Sequence, residues 1–110
     1  MKMNLFMITA FVVTSILACG IMTPAQVKGN LSYTIKCEVC HGATGLGDTS
    51  PGKQFNVKPF TDPTVLAMSD TAIQDLIVNG SGKMPAYRGK LADAEVTSLI
   101  QYIHKLQNKQ

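Results

Sequence analysis

Several features that would settle this protein's class are missing from its sequence. No apolar run approaches the roughly 20 residues that a helix needs to cross the hydrocarbon core of a membrane. The longest, Leu5 to Leu17, is already interrupted by Thr9, Thr14 and Ser15. Only three cysteines occur among 110 residues, so no second pair is available to complete a four-ligand structural zinc site. There is neither a run of basic residues nor a recognised binding motif, which argues against nucleic acid as a partner. No alternating strand pattern, internal repeat or low-complexity segment is seen. The glycine-rich stretch GATGLGDTSPGK at 42–53 is no phosphate cradle, because Gln54 rather than Ser or Thr follows Lys53 and no strand precedes it.

What is present begins with a leader. One basic residue, Lys2, precedes the apolar run, which is the build of a secretory signal spanning residues 1–25. A retained N-terminal anchor is the lesser reading. A variant of the signal reading ends before Cys19: Ile16, Leu17, Ala18 and Cys19 approximate a lipobox, in which the cysteine takes a lipid and tethers the chain to a membrane. Either way the chain is expected to be exported to the periplasm, and residues 26–110 form one small domain. A domain of about 85 residues usually needs a staple beyond its apolar core.

The staple is sought among the cysteines, and with Cys19 in the leader the domain retains only Cys37 and Cys40, in the stretch KCEVCHG. A disulfide closing so short a loop would constrain little of the unfolded chain. A thioredoxin-like redox pair needs a βαβ surrounding that this sequence does not offer. Covalent haem explains the spacing. Two thiols on one helical turn can add to the two vinyl groups of a porphyrin, and His41 then brings its imidazole to the iron; CxxCH is the haem c attachment pattern.

The other side of the iron decides the chemistry, since an open position means ligand binding or oxygen chemistry and a filled one means electron transfer. Candidates are Met68, Met84 and His104. Met84 lies in NGSGKMPAYRGK, where Gly80, Gly82, Pro85 and Gly89 allow sharp turns and close approach to a ligand. Met68, beside the candidate helix cap Ser69, reads as packing. His104, next to Ile103 on the last helix, reads as solvated or edge-packed. The iron ligands are therefore taken to be His41 and Met84.

With these residues in view, the domain resembles the class I cytochromes c, of the small bacterial single-haem kind represented by cytochromes c6, c551 and c555. The resemblance rests on Cys37, Cys40 and His41 near the start, Met84 with Pro85 some forty positions on, and an amphipathic last helix. It implies an all-α fold of three to five helices around one covalently bound haem, the first and last helices crossing, and a function of carrying single electrons between larger redox partners. It implies too that Pro51 offers its carbonyl to the N–H of His41, and that Gly29 and Tyr33 stand where the terminal helices touch. Phe55, Val57 and Phe60 are expected to help wall the haem.

The periodicity of the sequence agrees. Asn30 to Cys40 is read as a helix with Leu31, Ile35 and Val39 forming one apolar stripe. Asp70 to Val78 turns Ile73, Leu76 and Ile77 inward and stops at Asn79 and Gly80. Asp93 to Leu106 buries Val96, Leu99, Ile100, Ile103 and Leu106, with Tyr102 as its aromatic contact to the first helix. Ala92 departs from the related pattern, which has a serine or threonine there, so its capping box is half present, with Glu95 but no hydroxyl; Asp93 is the alternative cap.

After Ala25, nine basic side chains face seven acidic ones, and two haem propionates would bring that small excess near zero, so no global field steers association. Locally, Lys53, Lys58, Lys83, Arg88 and Lys90 would form a basic rim near the haem, suited to an acidic partner. Two competing functions remain: a haem enzyme or gas-binding module in which Met84 does not ligate, and a fixed haem subunit of a larger oxidase or dehydrogenase.

Overall fold

The computed structural model describes residues 20–109. The expected leader up to residue 19, with Cys19, lies outside the described residues. Among the described residues six helices follow one another: α1 (Pro24–Lys36), α2 (Glu38–His41), α3 (Ser50–Gln54), α4 (Pro63–Leu66), α5 (Asp70–Asn79) and α6 (Asp93–Gln107). Among the described residues there is no strand, only one isolated bridge between Ser81 and Met84. The fold is thus all-α, and it exceeds the expected helix count through α2, α3 and α4, single turns too short to leave a periodic signature.

The crossing of α1 and α6 is the most extensive packing between any two elements. Gly29 makes it possible, because a Cβ on Gly29 would lie 2.6 Å from the carbonyl oxygen of Ser98. Tyr33 and Leu99 are almost completely buried at the crossing, and the ring of Tyr33 meets that of Tyr102 edge-on at 5.0 Å. Burial of a leucine of this kind contributes about 1.5–3 kcal/mol. Ser32, also buried, donates to Glu95 Oε1 at 3.2 Å, and so ties α1 to the first turn of α6.

Two expectations for the first helix need correction. Helix α1 starts at Pro24 and yields at Cys37 to the short α2, rather than running from 30 to 40 as one element. The stripe Leu31, Ile35 and Val39 does not pack inward: these residues are 58%, 66% and 60% exposed. Fourfold spacing reveals a face but not its fate. Here α6 comes closest where the side chain is smallest, so the face with Gly29, Ser32 and Tyr33 is covered and the apolar stripe is left outside.

The later helices match their patterns. Helix α6 buries Val96, Leu99, Ile100, Ile103 and Leu106. Its N-cap is Ala92, not Asp93; Glu95 accepts from the Ala92 N–H at 3.2 Å, and alanine has no oxygen to return the bond. Helix α5 buries Ile73 and Ile77, with Ser69 accepting from the N–H of Ala72 as its cap. No helix among the described residues is long and apolar enough to cross a membrane.

Candidate haem site

A cavity opens between the helices in two lobes. The inner lobe, about 170 Å3, is lined by Tyr33, Phe60, Val65, Met68, Ile73, Ile77, Leu99 and Ile103. The outer lobe, about 500 Å3, is lined by Lys36, Cys40, Phe55, Ser81, Lys83, Pro85 and Tyr87 among others. Six residues belong to both: Cys37, His41, Val57, Lys58, Leu76 and Met84. The sum lies within the 300–1,000 Å3 typical of small-molecule sites, and the lining is overwhelmingly apolar.

The histidine side is built from α2 and the loop after it. His41 closes α2, with its N–H bonded to Cys37 O at 2.9 Å and its carbonyl accepting from Gly47 N–H at 2.8 Å. Thr49 caps α3 by accepting from Gly52 N–H and donates its hydroxyl to Val39 O at 2.8 Å, so the turn carrying both cysteines is clamped to α3. Tyr33 donates to Gly42 O at 2.7 Å. The imidazole of His41 stacks on Phe60, with centroids 4.9 Å apart and planes inclined by 26°. Burial pushes the ring's basicity down, and Nδ1 is buried without a hydrogen-bond partner. Cys37 and Cys40 are free thiols, the first with its pKa pushed up to about 11, chiefly by burial.

The methionine side is a tight turn. Ser81 and Met84 exchange both backbone bonds, at 2.9 and 3.0 Å. Gly80 is obligatory at its start, since its φ is 71° and a Cβ would lie 2.6 Å from Met84 O. Tyr87 N–H bonds to Ile77 O and its hydroxyl donates to Lys36 O, both at 3.0 Å, which fastens the loop to α5 and α1.

The structure therefore brings Cys37, Cys40, His41 and Met84 to one cavity. Phe60 lies in its inner wall and Phe55, 42% exposed, at the outer lobe. Pro51 does not line either lobe. The hydrogen bond expected from His41 to the Pro51 carbonyl is not formed: His41 Nδ1 has no hydrogen-bond partner, and the Pro51 carbonyl, on the second residue of α3, accepts from Phe55 N–H at 3.0 Å. Met68, read from sequence as packing, does pack against the core and also lines the inner lobe. Of the basic rim, Lys58 and Lys83 reach the cavity and Lys53 and Lys90 do not, while Arg88 is bonded to Asn79 on α5. Lys36 joins them at the outer lobe, a residue that charge alone could not single out.

Among the described residues no group of three or more His, Cys, Asp or Glu side chains could close around a bare metal ion. The donor set suits a haem instead: one buried, unpartnered imidazole, two free thiols and a thioether around an apolar cleft.

Comparison with known proteins agrees. Residues 24–103 match the family described as cytochrome c oxidase, cbb3-type, subunit III. The chain is 34% identical over 84 residues to the cbb3-type cytochrome c oxidase subunit CcoP of Azospirillum brasilense, covering 74% of this chain but 28% of that protein. It thus spans little more than a quarter of the oxidase subunits it matches. Cytochrome c6 of Bryopsis maxima is 33% identical over 73 residues, 66% of this chain and 82% of that protein; cytochrome c6 of Leptolyngbya boryana is 31% identical over 77 residues, 68% and 85% respectively. The chain belongs to the class I c-type cytochromes, the family whose members carry covalently bound haem c with its iron.

Proposed function

We propose that this cytochrome carries one electron at a time between larger redox proteins in the cell envelope, with Cys37 and Cys40 holding the haem and His41 and Met84 as its axial ligands. The observation that carries this reading is the convergence of the unpartnered His41 ring and the Met84 side chain on one apolar cavity beside two free thiols. When bound, haem c supplies an iron that accepts and returns a single electron. The neutral imidazole of His41 is ready to donate without first losing a proton. Met84 offers a soft, weak thioether, which favours the reduced state relative to a second histidine. The apolar walls keep water from the site, and Lys36, Lys58 and Lys83 place positive charge at the cavity, where an acidic partner would dock.

The test is the absorption of the oxidised protein. A weak red band from sulfur-to-iron charge transfer is expected in the wild type. In Met84→Ala it should vanish, and carbon monoxide should bind to the reduced protein. Ready carbon monoxide binding by the wild type would instead favour a haem enzyme or gas-binding module. For the basic rim of Lys53, Lys58, Lys83, Arg88 and Lys90, changing Lys83 and Arg88 to Glu should slow electron exchange with an acidic partner and flatten its salt dependence; unchanged kinetics would remove the rim from the account.

A second reading, a fixed haem subunit of a larger oxidase, is favoured by the 84-residue similarity to CcoP. Elution of the native protein with companion subunits, rather than alone, would decide for it. Residues 1–25 are proposed as the export signal, with lipid on Cys19 as the variant that tethers the carrier. Membrane fractionation of Cys19→Ser separates the two, since only a lipidated chain changes fraction.

A further inference from the structure

His104 stands between two acceptors. Its Nε2 lies 2.7 Å from Asp70 Oδ1 at the start of α5, and its Nδ1 lies 2.8 Å from Gln107 Oε1 one turn along α6. Both ring nitrogens can donate only in the imidazolium form. The orientation of the Gln107 amide is not arbitrary, because its Nε2 donates to the carbonyl oxygen of Phe60 at 3.2 Å. Phe60 in turn stacks on His41. An unbroken series of contacts therefore runs from Asp70 through His104 and Gln107 to the residue that packs on the imidazole in the haem cavity.

We propose that Gln107 is a positioning residue for the His41 face of the haem site, and that it reports the protonation of His104 to Phe60. This rests on His41 serving the haem, as argued above. When His104 loses a proton, the loss falls on Nδ1, since the nitrogen facing the Asp70 carboxylate gains more by keeping its hydrogen. The bare Nδ1 then confronts Gln107 Oε1, two lone pairs against each other. The amide relieves this by rotating, which turns its oxygen toward the Phe60 carbonyl and breaks that bond. Phe60 loses its tether from α6, and the ring resting on His41 is freed on one side.

The direction in pH follows from the partners. The bonds to Gln107 and Asp70 raise His104 above its ordinary value, so the bonded arrangement is complete below about 6.5 and is lost as pH rises through the raised value. Asp70 of α5 is the charged group that acts on the ring. Lys105 is its neighbour along α6. In the preceding loop, Asp62 is engaged with Thr64 and Lys58, leaving the Phe60 carbonyl as that loop's contribution.

The experiment follows the ring resonances of Phe60 and His104 in the holo-protein by NMR from pH 5 to 9, with the midpoint potential over the same range. In the wild type, Phe60 should shift with the same inflection as His104. In Gln107→Leu, His104 should still titrate while the Phe60 inflection is lost and at least half of any pH step in potential goes with it. Gln107→Glu, which can accept from His104 but not donate to Phe60, should behave likewise if the leucine variant folds poorly. An inflection at Phe60 that survives in either variant, or that is absent from the wild type, overturns the relay. The sulfur-to-iron band, recorded on each sample, tells this failure from a failure of the ligand assignment, because the Phe60 resonance reports the relay whichever residue binds the iron.

Discussion

The two sides of the cavity are held in different ways. The His41 side is held largely by side chains: Tyr33 of α1 donates to the Gly42 carbonyl, Thr49 clamps the cysteine turn to α3, and Phe60 from another loop covers the ring. The Met84 side is held largely by backbone, through a reciprocal pair with Ser81 and the bond of Tyr87 N–H to Ile77 O, with the Tyr87 hydroxyl reaching Lys36 of α1. Side chains buried in the shared core open only when much of the fold opens with them, whereas a short loop can open by itself. The His41 side is expected to open with the core, and the Met84 turn to open before it.

Three substitutions probe this contrast. Phe60→Ala removes a buried ring that touches both Tyr33 and His41 and should cost about 3–5 kcal/mol, read as a lowered urea midpoint in the holo-protein; a loss as small as that of a loop residue would show that the histidine side is no more structural than the methionine side. Thr49→Val deletes both the α3 cap and the clamp on Val39, with an expected cost of about 0.5–2 kcal/mol and faster amide exchange over residues 38–42. Exchange quickening only around Met84 would contradict the clamp. Ala92→Ser acts at a residue that lines neither lobe of the cavity and completes the capping box, and should stabilise the fold by about 0.5–1 kcal/mol. It raises the thermal midpoint without altering the sulfur-to-iron band, which makes it the control for changes that spread through α6.

Much of the site could be read directly from the sequence, for reasons tied to particular residues. Cys37, Cys40 and His41 stand out by their CxxCH spacing, and Met84 by the glycines and proline around it, and all four line the cavity. The inward faces of α5 and α6 were equally plain, since each has one apolar stripe and one destination. Helix α1 offered two usable faces, and periodicity favoured the apolar one; the deciding fact, how closely α6 can approach Gly29, is a property of the pair. Pro51 was placed by resemblance, and the single turn of α3 that holds its carbonyl against Phe55 N–H is too short to be seen in the sequence. His104 was expected at an edge, and so it is, but its bond to Asp70 spans 34 positions and the bond of Gln107 to the Phe60 carbonyl spans 47.

The inner lobe of the cavity takes part of its wall from Leu99 and Ile103, residues of α6, while the thiols stand at the end of α1 and in α2. A ribosome delivers the thiols some sixty residues before that wall. The cysteine turn is thus made early, while the inner lobe is walled only once the last helix has crossed Gly29, so the enclosure of this cavity depends on α6.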